Sequence, residues 1–151
     1  MTEHEQENIP QELLIQSVNN AGLFQLLGLQ IVTAQAGIGK ARIQVDERLM
    51  HPQQIVHGGV IFTLADTAMS MALLSVIPVG TRFGTLEAKI NFLLPVRTGE
   101  LLAEAAIVHR GRSTAVLEAT VYNINGDERQ AIARMLGTFS FARPKNTSDS
   151  E

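Results

Sequence analysis

The sequence predicts an α+β fold in which a curved antiparallel sheet wraps around one long central helix. Three observations predict it. Residues 58–77 are apolar almost all round, with Asp66 as their one formal charge, and a helix of that kind must be enclosed by the rest of the chain. Six further stretches carry strand character, several alternating apolar with polar residues. Turn residues separate these stretches: Gly37 and Gly39, Pro95 to Gly99, Arg110-Gly111-Arg112 and Asn125-Gly126-Asp127, the Asn-Gly pair being the clearest hairpin signal. A flat sheet with all helices on one face leaves its other face open, whereas a sheet curled round one helix satisfies the pattern.

Taken in order, residues 1–10 are polar and acidic and read as a disordered N-terminal tail. Pro10 suits the first turn of a helix. Apolar residues at helical spacing follow, including Leu13, Leu14, Val18, Leu23, Phe24 and Leu27, with Asn19-Asn20 and Gly22 breaking the segment in two. Residues 29–36 and 39–45 read as paired strands, Ala41, Ile43 and Val45 alternating with Arg42, Gln44 and Asp46. Gly37 and Gly39 are the expected turn between them. Residues 47–56 have no period and contain Pro52, so they read as a loop delivering the chain to His57. The long helix comes next, with Pro78 and Gly80 as its expected stop. Strands are expected over 81–94, 100–109, 113–123 and 128–141. Residues 143–151 read as a disordered C-terminal tail, leaving one domain over 11–142.

Composition removes several function classes. A chain of 151 residues is the size of one domain. Its formal charge of -3 offers no basic field for nucleic acid. The absence of cysteine removes disulfides, thiolate metal sites and a cysteine nucleophile. The acidic, polar first residues do not resemble a signal peptide, which makes the cytoplasm the expected location. The central helix approaches the minimum of about 17 residues that can span a bilayer. Asp66, the hydroxyls of Thr63, Thr67, Ser70 and Ser75, and the alternating segments on either side favour a buried core helix over a membrane span. No metal is expected, since His51, His57 and Asp66 lack a recognised ligand spacing.

The order β-β-helix-β-β-β-β about one buried helix, with His57-Gly58-Gly59 at its start and Asp66-Thr67-Ala68 beginning nine positions after the histidine, resembles the hotdog fold. With the stretch 85–95 and Gly99, it more narrowly resembles acyl-CoA thioesterases of the phenylacetic-acid-degradation (PaaI-like) type, over about residues 20–142. The resemblance implies hydrolysis of an acyl-CoA to free acid and CoA. It implies no cofactor, CoA being part of the substrate, and a homodimer that pairs further into a homotetramer.

The residues permit that chemistry. Attack on a thioester carbonyl builds negative charge on oxygen, and donors at that oxygen lower the barrier. A helix start offers unpaired N–H groups and the positive end of the dipole. Gly58 and Gly59 leave that start clear of side chains, although a glycine turn for sharp entry and close packing would read the same way. The resemblance makes the Gly58 amide the oxyanion donor, and it has His57 orient the thioester carbonyl or its surroundings. An ionised Asp66 in an apolar setting is expensive unless something holds it. It is read either as general base or as nucleophile, or, structurally, as a carboxylate bonded to a nearby hydroxyl. Asp66 lies eight residues beyond Gly58, about 12 Å along one helix, so the two cannot meet at one carbonyl within a chain. If they cooperate, they come from two subunits with antiparallel helices.

Thr85 falls where the family often carries a Ser or Thr bonded to the carboxylate or its water; the plain reading is a strand threonine. His51 departs from the pattern, since relatives commonly place an Asn six positions before the His. A histidine can donate there but adds a protonation step near neutral pH, or it is a solvated loop residue. Arg110-Gly111-Arg112-Ser113 is a basic turn which, by resemblance, lies near the nucleotide and pantetheine arm of CoA. Solvated hairpin arginines are its alternative. Among functions, the alternative to hydrolysis is a non-catalytic acyl-CoA-binding module, a sensor or carrier. Asp66 speaks for hydrolysis and the altered His51 mildly for binding. A hydratase on the same fold fits less well, its sites resembling a different motif.

Overall fold

The computed structural model describes residues 11–142, so both expected tails lie outside the described residues. The chain runs α1 (Gln11–Asn19), α2 (Gly22–Leu27), β1 (Leu29–Gln35), β2 (Ile38–Gln44), a 3-10 turn (Glu47–Leu49), α3 (Gly58–Leu74), β3 (Arg82–Phe92), β4 (Glu100–Arg110), β5 (Thr114–Asn125) and β6 (Glu128–Ala142). The strands form one sheet in the order β1-β2-β4-β5-β6-β3, with every neighbouring pair antiparallel. Helix α3 packs on one face of that sheet, chiefly against β2 and β4. This is the α+β hotdog arrangement.

Helix α3 forms because from Leu64 onward its sequence is dominated by Ala, Leu and Met, all strong helix formers. Leu64, Ala65, Ala68, Met69, Ala72 and Leu73 are completely buried. Burying each of the larger three contributes about 1.5–3 kcal/mol. The helix rests unusually close to β2. A Cβ added at Gly39 would overlap the Ala68 carbonyl oxygen and come within 2.6 Å of the Ala72 N. Gly39 is therefore a strand residue under the helix backbone, not the turn residue expected from sequence. Ala36 and Gly37 make the turn, with φ of 51° and 79°, the left-handed pair that tight hairpins need.

The helix also stops earlier than expected, at Leu74. The Ser75 hydroxyl donates to the Ala72 carbonyl at 2.7 Å and accepts from the Gly37 N–H at 2.8 Å. Those bonds tie the helix end to the β1–β2 turn, leaving Pro78 to act beyond it. The other expected strands agree with those observed to within a few residues, and the Asn125-Gly126-Asp127 signal marks the β5–β6 hairpin.

The two sheet edges are treated differently. On β1, the Ile31 N–H donates to Asn19 Oδ1 at 2.7 Å and the Ala34 N–H to Gln11 Oε1 at 3.2 Å. Side chains of α1 thus satisfy edge donors that a neighbouring strand would otherwise take. The opposite edge, β3, has no strand beyond it among the described residues. It carries a bulge between Thr85 and Glu87, a device that re-aims side chains locally, and Leu86 there is exposed. No described helix is long and apolar enough to cross a membrane.

Candidate active site

The start of α3 is held from both sides. The His57 N–H donates to the Leu49 carbonyl and the Val56 N–H to that of Val96, each at 2.8 Å. Met50 and Val56 form an isolated antiparallel bridge. Of residues 47–56, expected as a loop, 47–49 form the 3-10 turn, and the rest is a closed loop that delivers His57 to a fixed point.

Accounting for the first-turn donors singles out one of them. The Gly59 N–H donates to His57 Nδ1 at 2.8 Å, and the Val60 N–H to the His57 carbonyl at 3.0 Å. The Gly58 N–H has no acceptor among the described residues. It sits at the positive end of the helix dipole, where a developing anion is stabilised. Gly58 is not bare, however: a Cβ there would lie 3.0 Å from Phe92 Cζ, so the Phe92 ring covers it.

Histidine is an unusual helix cap, and sequence reading did not anticipate the role. His57 caps through a ring nitrogen that accepts, so its neutral ring carries the proton on Nε2. His51 is fixed in the same way, accepting the Gln53 N–H on Nδ1 at 3.1 Å. The two rings are 6.0 Å apart, centroid to centroid. His57→Ala should therefore cost about 1 kcal/mol of stability, a fall in Tm of roughly 2–4 °C. His57→Asn, which restores a good cap, should recover most of that loss in a thermal melt.

Asp66 is half-buried on α3, and its Oδ1 accepts from Thr85 Oγ1 at 2.7 Å. The bond reaches from the helix to the bulged part of β3. The structure thus brings Asp66 and Thr85 together, and His51, His57, Gly58 and Gly59 together, but the two groups remain separated along α3. The basic turn is farther still. Arg110 Nη1 donates to the Val76 carbonyl at 2.9 Å, and its guanidinium lies 5.6 Å from the Phe141 ring centroid. That fixes the turn near the C-terminal end of a helix about 25 Å long. With Pro78 and Phe141, residues 110–113 line a cleft of about 680 Å³.

A second cavity, about 330 Å³, opens at the other end of α3. Gly58 forms part of its wall, with Val56, Ile61, Phe92, Leu94 and Val96 among the rest. Phe92 was not foreseen as a site residue. The apolar run Phe92-Leu93-Leu94 was visible in the sequence, but its exposure and its approach to Gly58, 34 residues away, were not.

The model of the thioesterase superfamily matches residues 53–129, which include the α3 start, Asp66, Thr85 and the basic turn. The chain belongs to this superfamily. Among relatives of this thioesterase, the 1,4-dihydroxy-2-naphthoyl-CoA hydrolase of Listeria monocytogenes is 35% identical over 101 residues, 66% of this chain and 81% of that protein. The acyl-coenzyme A thioesterase PaaI of Escherichia coli is 30% identical over 105 residues, 69% of this chain and 73% of its own. Among solved structures, thioesterase HI1161 of Haemophilus influenzae superposes with a TM-score of 0.82 at 26% identity, covering 95% of this chain and 97% of the other. Together these identify a PaaI-like hotdog thioesterase, whose general chemistry is thioester hydrolysis.

Proposed function

We propose that the protein is an acyl-CoA thioesterase that works as a homodimer, with each site drawn from both subunits. The free Gly58 N–H carries this reading. It is a donor without an internal acceptor at a helix start, where the oxyanion of acyl transfer is stabilised.

In this reading the Gly58 N–H of one subunit, assisted by His57 Nε2–H, binds the thioester carbonyl oxygen. Asp66 of the opposite subunit, oriented by Thr85, takes a proton from water as the water oxygen adds to the carbonyl carbon. The tetrahedral oxyanion collapses, the C–S bond breaks, and the departing sulfur takes the proton back from Asp66. Free acid and CoA result. Alternatively Asp66 attacks the carbonyl itself and water resolves the mixed anhydride. Neither route calls on a metal or cofactor.

Two features support the shared site. Gly58 and Asp66 lie about 12 Å apart along one helix, so a single chain does not supply both to one carbonyl. The β3 edge, which carries Thr85, is open to a second copy, whereas the β1 edge is blunted by α1. An antiparallel helix pair would also bring the partner's basic turn to the same side as its Asp66, where guanidiniums suit the phosphates of CoA.

The test combines thiol release from acyl-CoA with subunit mixing. Gly58→Pro removes the donor, yet proline is favoured at a first helical position, His57 already has the extended backbone that precedes proline, with ψ of 132°, and the new Cβ, 3.0 Å from Phe92 Cζ, presses only on the tip of an exposed ring that can move aside. Gly58→Pro should cost about 10²–10³ in kcat. Co-refolding it with Asp66→Ala should restore about a quarter of wild-type activity, because half the dimers are mixed and each holds one intact site of two. Mixtures no more active than their parents would rule out the shared site.

A further inference from the structure

We infer that Phe92 is the specificity-determining residue of this site, setting the largest acyl group it admits. The inference rests on the proposed hydrolysis of acyl-CoA at Gly58.

Phe92 ends β3, and its backbone is firmly held. It pairs with Ala133 of β6, and the next residue, Leu93, donates to the Ile132 carbonyl at 2.8 Å. Yet the side chain is 53% exposed, so the fold gains little from it. Leu93 and Leu94 beside it are exposed as well, and a contiguous apolar patch on a firmly held backbone is the pattern of a contact surface. Its ring closes over Gly58, with Cζ, Cε1 and Cε2 at 3.0, 3.3 and 3.5 Å from the position of a Cβ there. A carbonyl oxygen bound by the Gly58 N–H therefore has Phe92 as a near neighbour.

The carbonyl carbon carries two substituents, the acyl chain and the sulfur leading to pantetheine. The pantetheine arm contains amides, which need hydrogen-bond partners when they leave water. The cavity beside Gly58 is walled by Val56, Ile61, Leu94 and Val96 together with Phe92, none of which offers a polar side chain. The acyl group is the substituent that fits. A cavity of about 150 Å³ suffices for a benzene-sized group, so about 330 Å³ takes an acyl group of hexanoyl size with room to spare, whereas a chain as long as palmitoyl overfills it and must pass or displace the Phe92 ring.

The experiment measures kcat/KM for acetyl-, hexanoyl-, dodecanoyl- and palmitoyl-CoA, below their micellar concentrations, with wild type, Phe92→Leu and Phe92→Ala. The expected result is a wild type that favours hexanoyl over palmitoyl. Phe92→Ala should narrow that ratio at least about tenfold, with Phe92→Leu between them. Melting temperatures close to wild type would confirm that exposure makes the ring dispensable for folding. An active wild type whose chain-length ratios are unmoved by both variants overturns this inference alone. A wild type that releases thiol from none of the four overturns it together with the proposed function.

Discussion

Asp66→Asn is expected to lower kcat by about a thousandfold while leaving the fold intact. The amide oxygen can still accept the Thr85 hydroxyl that Asp66 Oδ1 now accepts at 2.7 Å, so the link between α3 and β3 survives. An amide can neither take a proton from water nor attack a thioester. Because Asp66 is only half-buried, the substitution opens no cavity, and the melting temperature should stay within a few degrees of wild type. Thiol release under saturating acyl-CoA reads the first effect and a thermal melt the second. A variant retaining more than about a tenth of wild-type kcat would show that another group activates the water. Single turnovers in ¹⁸O-water separate the two roles of the carboxylate. A base sends the label straight to the product acid, whereas an anhydride opened at its aspartyl carbon leaves label in Asp66.

Gly39→Ala should be among the most damaging small changes in the structure. The new Cβ meets the Ala68 carbonyl and the Ala72 N, backbone atoms that cannot rotate aside. The helix must lift from β2, loosening the packing of Leu64, Met69 and Leu73. Overpacking of this kind costs about 3 kcal/mol or more, which corresponds to a fall in Tm of roughly 6–12 °C. Gly84→Ala is the control: a Cβ there meets nothing within 4 Å, and the change should stay within about 0.5 kcal/mol. Equal melts for the two variants would mean that α3 is not seated on β2 as described.

These residues also show what a sequence can reveal. The strands were legible because alternation is a property of neighbouring residues, and the helix because its long, mostly apolar run meets no proline before Pro78. Asp66 stood out as a charge in that run. Gly39 was misread, since a glycine beside Gly37 looks like a turn until the helix above it is known. A better clue lay in Ala68 and Ala72, two small residues one turn apart on α3. The cap role of His57 was hidden because histidine seldom caps helices. Phe92 over Gly58 depends on the path of β3 across the sheet, which no local pattern encodes.

The asymmetric edges of the sheet bear on how far association can proceed. A ribbon with two sticky ends can add copies indefinitely and grow into a fibre. Here Asn19 and Gln11 occupy donors on β1, so among the described residues β3 is the edge left open to another strand. Pairing of β3 with its own copy uses up the open end of both molecules at once, and the joined sheet presents only blunted ends. Growth by strand addition is therefore self-terminating.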